Sequence, residues 1–173
     1  LHLSLRRQRQ MCIRDSTKTV NLSDPVYNAT SVAALGVAAH ECGHAIQHAK
    51  SYAPLSIRSA LVPIANFGSM LAWPVILIGL LFNTRSSGLI IDIGILLFSA
   101  AVLFQLVTLP VEFDASRRAL VMLRTQGILA DDELRYTRRV LKSAALTYVA
   151  SAAAAILQLL RIILITNGRR RDD

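Results

Sequence analysis

The sequence predicts a mainly α-helical integral membrane protein with three spans, and three observations carry that prediction. Hydrophobic residues make up 53% of the 173 and charged residues only 17%, against about 25% charged in a soluble domain. Three runs, Leu61–Phe82, Ile93–Val111 and Ser143–Leu160, contain no Asp, Glu, Lys, Arg or His. Each approaches the roughly 20 residues that a helix needs to cross a hydrocarbon core about 30 Å thick. The chain is also basic, with a net charge of +8, yet only 6% aromatic. That pairing fits the positive flanks of a bilayer protein and offers no base-stacking platform, so no nucleic-acid partner is expected. A chain this short cannot hide three such runs inside a soluble core. The two cysteines, Cys12 and Cys42, make no disulfide framework.

Taken in order, residues 1–16 have neither helical nor strand period and no apolar run long enough for a signal peptide. They read as a leader, unstructured or foreign, ahead of a domain over 17–173. Thr17–Leu22 alternates and is β-branched, which predicts a short strand, and Asp24-Pro25 then turns the chain. Thr30 or Ser31 can cap a helix from Val32 to about Lys50. The first span, 61–82, contains Pro63 and Pro74, which a membrane helix tolerates. The short Asn83–Ser87 link makes it a hairpin with the second span, 88–111. A separate helix is expected after Pro110, stopping at Gly127. Asp131 opens the last helix, which runs unbroken into the third span, 143–165.

Lys50, Arg58, Arg117, Arg118, Arg124, Arg135, Arg138, Arg139 and Lys142 lie on one side of these spans, and Arg85 lies in the link on the other. The positive-inside rule puts 1–60 and 112–142 in the cytoplasm, although Arg169, Arg170 and Arg171 pull the opposite way.

His40-Glu41-Cys42-Gly43-His44 is an H-E-x-x-H sequence inside a predicted helix. Residues four apart share a helical face about 6 Å apart, so both imidazoles reach one Zn²⁺ at about 2.0–2.1 Å. Glu41 is rotated about 100° from His40, beside the metal and not on it, where it can serve as general base and then acid. The competing reading, a helix with two incidental histidines, would bury imidazoles without partners at a cost. Such a site needs a third protein ligand and an open position. Lys50 stands where the metzincin pattern requires its third His, which excludes that class. His48 lies a further turn along and suits a supporting, substrate-facing or plain surface role. Glu112 follows Pro110 at the end of the second span. Two spans separate it from His44, so it returns to the same membrane side whichever way the chain is inserted. Asp114, two residues on and about 200° round the helix, is its competitor, and position favours Glu112 without deciding between them.

VAAHECGHAIQHA (37–49), SALVPIANFGS (59–69), LFQLVTLPVEFDASRRAL (103–120) and LTYVASAAAAILQLLR (146–161) resemble the YugP-type membrane zinc metallopeptidases of bacteria. Four segments matching in order make the likeness specific. That family is similar to the HtpX-like and CAAX-prenyl endopeptidases, in which a Glu of an E-x-x-A-[SD] helix is the third zinc ligand. The corresponding run here is Glu112-Phe113-Asp114-Ala115-Ser116. The resemblance therefore implies a small gluzincin-like cytosolic zinc site with His40, His44 and Glu112 as ligands, Zn²⁺ as cofactor and Glu41 as base. Ser116 stands where HtpX-like proteins have Asp, and is a weaker candidate for a supporting role. Such proteins begin with another membrane helix and a longer segment before the strand, so the chain is expected to be an N-terminally incomplete member. Cys42 replaces a commonly aliphatic residue and is expected to pack, not to ligate.

The expected function is zinc-dependent hydrolysis of peptide bonds at the cytosolic surface of a bacterial cell membrane, by a multi-pass protein acting on peptide or membrane-protein substrates. Thr17–Leu22 could pair with an extended substrate by strand addition. Tyr148 is a candidate oxyanion donor, set against the role of an interfacial aromatic anchor. The alternative is a non-catalytic membrane metal-binding or scaffold protein, which would have no use for a base at Glu41. A transporter component finds less support, since Asp92, Gln105 and Gln158 define no paired charges along a path.

Overall fold

The structure, a computed structural model, describes residue 20, residues 22–82 and residues 87–172. Among the described residues five helices follow in order: α1 (Asp24–Tyr27), α2 (Val32–Ala49), α3 (Ala53–Leu81), α4 (Ser87–Thr125) and α5 (Asp131–Asp172). Among the described residues there is no strand. Most of the Thr17–Leu22 segment expected as a strand lies outside them, as do the 1–16 leader and residues 83–86 of the hairpin link.

Caps set the helix boundaries. Asp24-Pro25 is more than a turn: Pro25 at the first helical positions leads into the single turn of α1. Ser31 takes the cap of α2, its Oγ accepting the Ala34 amide at 3.2 Å. At the end of α4, Gly127 has φ +62°, and the Ile128 amide reaches back to the Leu123 carbonyl at 3.1 Å, closing the helix in a left-handed cap. Glu133 Oε2 accepts the Ala130 amide at 2.9 Å, which satisfies a donor at the start of α5.

α3, α4 and α5 are each long and apolar enough to cross a membrane, and their apolar side chains face outward as lipid exposure requires. Phe67, Met70, Leu96 and Leu164 are 63%, 63%, 72% and 72% exposed. The expected break at Pro110 is absent: Pro110 sits inside α4, which runs on from Ser87 to Thr125. Proline removes one backbone hydrogen bond, and in a long apolar helix the bonds on either side outweigh that local loss.

The chain divides into two units. One comprises residues up to Leu55 with Pro110–Thr147, the other Ser56–Leu109 with Tyr148 onward. In the second unit Ala72 and Ile76 are buried, Gly94 lets Ile76 approach α4 closely, and Trp73 meets Phe98 edge-to-face at 6.4 Å. The first unit packs Ala39 of α2 with Ala119 and Leu123 of α4, Leu129 of the connection and Leu141 of α5. This small core holds α2 against the C-terminal part of α4, and that pairing carries the site.

Candidate metal centre

His40 and His44 lie one turn apart on the face of α2 that meets α4. The approach is unusually close because Gly43 stands between them. A Cβ there would collide with the Ala115 backbone carbonyl, so the two backbones touch where any other residue would hold them apart. Glu112, one turn before Ser116 on α4 and 3% exposed, is thereby brought to the histidines.

Three ligand-type atoms converge. His40 Nε2 lies 3.2 Å from Glu112 Oε2, His44 Nε2 lies 3.7 Å from the same oxygen, and the two Nε2 atoms are 3.1 Å apart. Ligands held about 2.0–2.1 Å from one ion at tetrahedral angles are separated by about 3.3–3.4 Å. The observed spacings bracket that value, so this donor set fits a zinc ion. Among the described residues, His40, His44 and Glu112 form the group of His, Cys, Asp or Glu able to share a metal.

The electrostatics favour positive charge at the same point. Burial pushes the Glu112 carboxyl up, but the hydrogen bond with His40 and the nearby His44 imidazole outweigh it and hold the group at about 2. Burial pushes the His44 imidazole down, and Glu112, Gln47 and Glu41 together raise it above its ordinary value.

The outer nitrogens of both rings are engaged. His40 Nδ1 is 3.1 Å from Ser116 Oγ, and His44 Nδ1 is 3.0 Å from Gln47 Oε1. Gln47, fully buried, also donates from Nε2 to the Val111 carbonyl at 2.8 Å and to Asp114 Oδ2 at 3.0 Å. Asp114 in turn accepts from Arg117 and Arg118, and Arg118 lies over the Tyr52 ring. Burial raises the Asp114 carboxyl, while Arg118, Gln47 and Arg117 overcome it and hold it at about 2.

Asp114, the competitor of Glu112 by position, is outside the converging group. It turns away from the histidines, yet it is 6% exposed and anchors the amide that touches one of them. Gln47 belongs to no motif in the chain. The signal it offers is its spacing, three residues beyond His44 on the same helical face.

The remaining candidates are placed as follows. Glu41 is half-buried on α2, close enough to raise the His44 imidazole. His48 is exposed and outside the three-residue group. Cys42 is a half-buried free thiol, pushed up by burial and by the Glu41 charge. Tyr148 is half-buried on α5 where the second unit resumes.

A helical membrane protein with a His–His–Glu cluster around an H-E-x-x-H helix has the make-up of a zinc metallopeptidase, and comparison with known proteins agrees. Residues 14–167 match the family described as "putative neutral zinc metallopeptidase", and the chain belongs to that family. It is 46% identical over 153 residues to "Putative membrane protease YugP" of Bacillus subtilis (strain 168), covering 88% of this chain and 67% of that protein. No solved structure matches the chain.

Proposed function

We propose that the protein is a zinc-dependent endopeptidase that hydrolyses peptide bonds of peptide or membrane-protein substrates at the cytosolic surface of a bacterial membrane. The convergence of His40, His44 and Glu112 on one point supports this reading most directly. In it, those three side chains would hold Zn²⁺. When bound, zinc acts as a Lewis acid that acidifies a water and polarises the scissile carbonyl.

Glu41 supplies the proton traffic. Its carboxylate takes a proton from the attacking water as the new carbon–oxygen bond forms. The same proton then passes to the amide nitrogen as the carbon–nitrogen bond breaks, so Glu41 ends as it began. Ser116 and Gln47 hold the two rings from behind, and His48 lies too far along α2 to join the ligands. The domain of this activity is 17–173, with 1–16 a dispensable leader, and Tyr148 is a candidate donor to the developing oxyanion.

Glu41→Gln tests the reading because it keeps size and polarity while removing the base. Zinc should stay near one per chain while cleavage of an unfolded protein in detergent falls by about 10²–10⁴-fold. Full metal-dependent cleavage by Glu41→Gln would overturn the mechanism. A non-catalytic metal-binding or scaffold protein would bind zinc and show no cleavage even with Glu41 intact.

A further inference from the structure

We infer that Gln47 is a positioning residue that fixes the tautomer of His44, so that the lone pair of Nε2 faces the point shared with His40 and Glu112. The inference rests on the metal-site reading and extends it to a residue outside the ligand set.

Hydrogen-bond chemistry leaves one arrangement of the Gln47 amide. Its Nε2 faces two groups that can only accept, the Val111 carbonyl at 2.8 Å and the Asp114 carboxylate at 3.0 Å. Turning the amide over would set an oxygen against two oxygens, in a place where Gln47 is 0% exposed and water cannot intervene. The atom 3.0 Å from His44 Nδ1 is therefore Oε1. That oxygen has no hydrogen to give, so the imidazole donates from Nδ1–H. A neutral ring protonated at Nδ1 carries its free lone pair on Nε2, the atom 3.1 Å from His40 Nε2 and 3.7 Å from Glu112 Oε2. The orientation is further secured because Arg117 and Arg118 also donate to the Asp114 carboxylate. A chain of contacts thus runs from two guanidinium groups through Asp114 and Gln47 to one ring nitrogen.

Partners of this kind behind a metal-binding histidine are worth roughly 10–100-fold in metal affinity. Gln47→Met keeps the length of the side chain and removes all three hydrogen bonds. The full chain in detergent, still helical by circular dichroism, should bind zinc about 10–100-fold more weakly, whereas a merely space-filling Gln47 would leave zinc affinity unchanged. A second measurement needs no variant at this position. In metal-free wild type carrying ¹⁵N-labelled histidine, at alkaline pH where imidazoles are neutral, the His44 ring should appear as the Nδ1–H form, assigned by its loss in His44→Gln. A wild-type His44 found in the Nε2–H form, or unchanged zinc affinity in folded Gln47→Met, overturns the inference. Failure of the wild type to bind zinc overturns the metal-site reading, while the tautomer measurement, made without metal, tests the His44 assignment independently of that reading.

Discussion

Gly43 meets the backbone carbonyl of Ala115 with no room for a Cβ between them. The contact lies midway between the histidines on one helix and beside Glu112 on the other, so it sets the distance across which three side chains must converge.

Gly43→Ala should therefore act on metal binding as well as stability. The added methyl meets backbone, which cannot swing away as a side chain can, and overpacking of this kind costs about 1–3 kcal/mol. A lower melting temperature with reduced zinc per chain is the expected result, measured by thermal unfolding and metal analysis. An unchanged zinc content would mean that α2 and α4 can separate without disturbing the cluster.

Glu112→Gln should differ from Glu41→Gln. A neutral amide is a poor zinc ligand, so metal content and cleavage should fall together. Retention of zinc by Glu112→Gln, with loss in Asp114→Asn, would reverse the assignment between the two carboxylates.

Asp114→Asn is expected to destabilise the first unit and only secondarily weaken the metal site. Asp114 is buried and accepts from Gln47, Arg117 and Arg118. Arg117 is 74% exposed, so its pairing adds little; the Gln47 and Arg118 bonds matter more, for a loss of about 1–3 kcal/mol. Denaturant unfolding measures it, and a double-mutant cycle with Gln47→Met should show coupling.

The membrane orientation can be tested by labelling. A cysteine replacing Ser86, in the link between α3 and α4, should react with an impermeant reagent added to intact cells. A cysteine at the exposed Gln126 should be protected until the membrane is opened. The reverse pattern would move the site to the outer face.

The features legible in the chain are local ones. Three uncharged runs specify helices that suit lipid, because length and hydropathy alone decide whether a segment can cross a bilayer. The four-residue step from His40 to His44 puts both rings on one face, because helical geometry is the same in every helix. Ser31 and Gly127 mark helix ends for equally local reasons. Tertiary structure decided what lies across the α2–α4 contact. Glu112 and Asp114 differ by two positions, and only packing turns one toward the histidines and buries the other behind Gln47. Gln47 itself looks like any polar residue on an amphipathic helix until the Val111 carbonyl and the Asp114 carboxylate close on its amide. Pro110 likewise reads as a helix end, because a propensity weighs one residue, while α4 continues through it on the strength of the bonds on both sides. Spacing within one helix is written in the chain; contacts between segments more than sixty residues apart exist only once burial has brought the helices together.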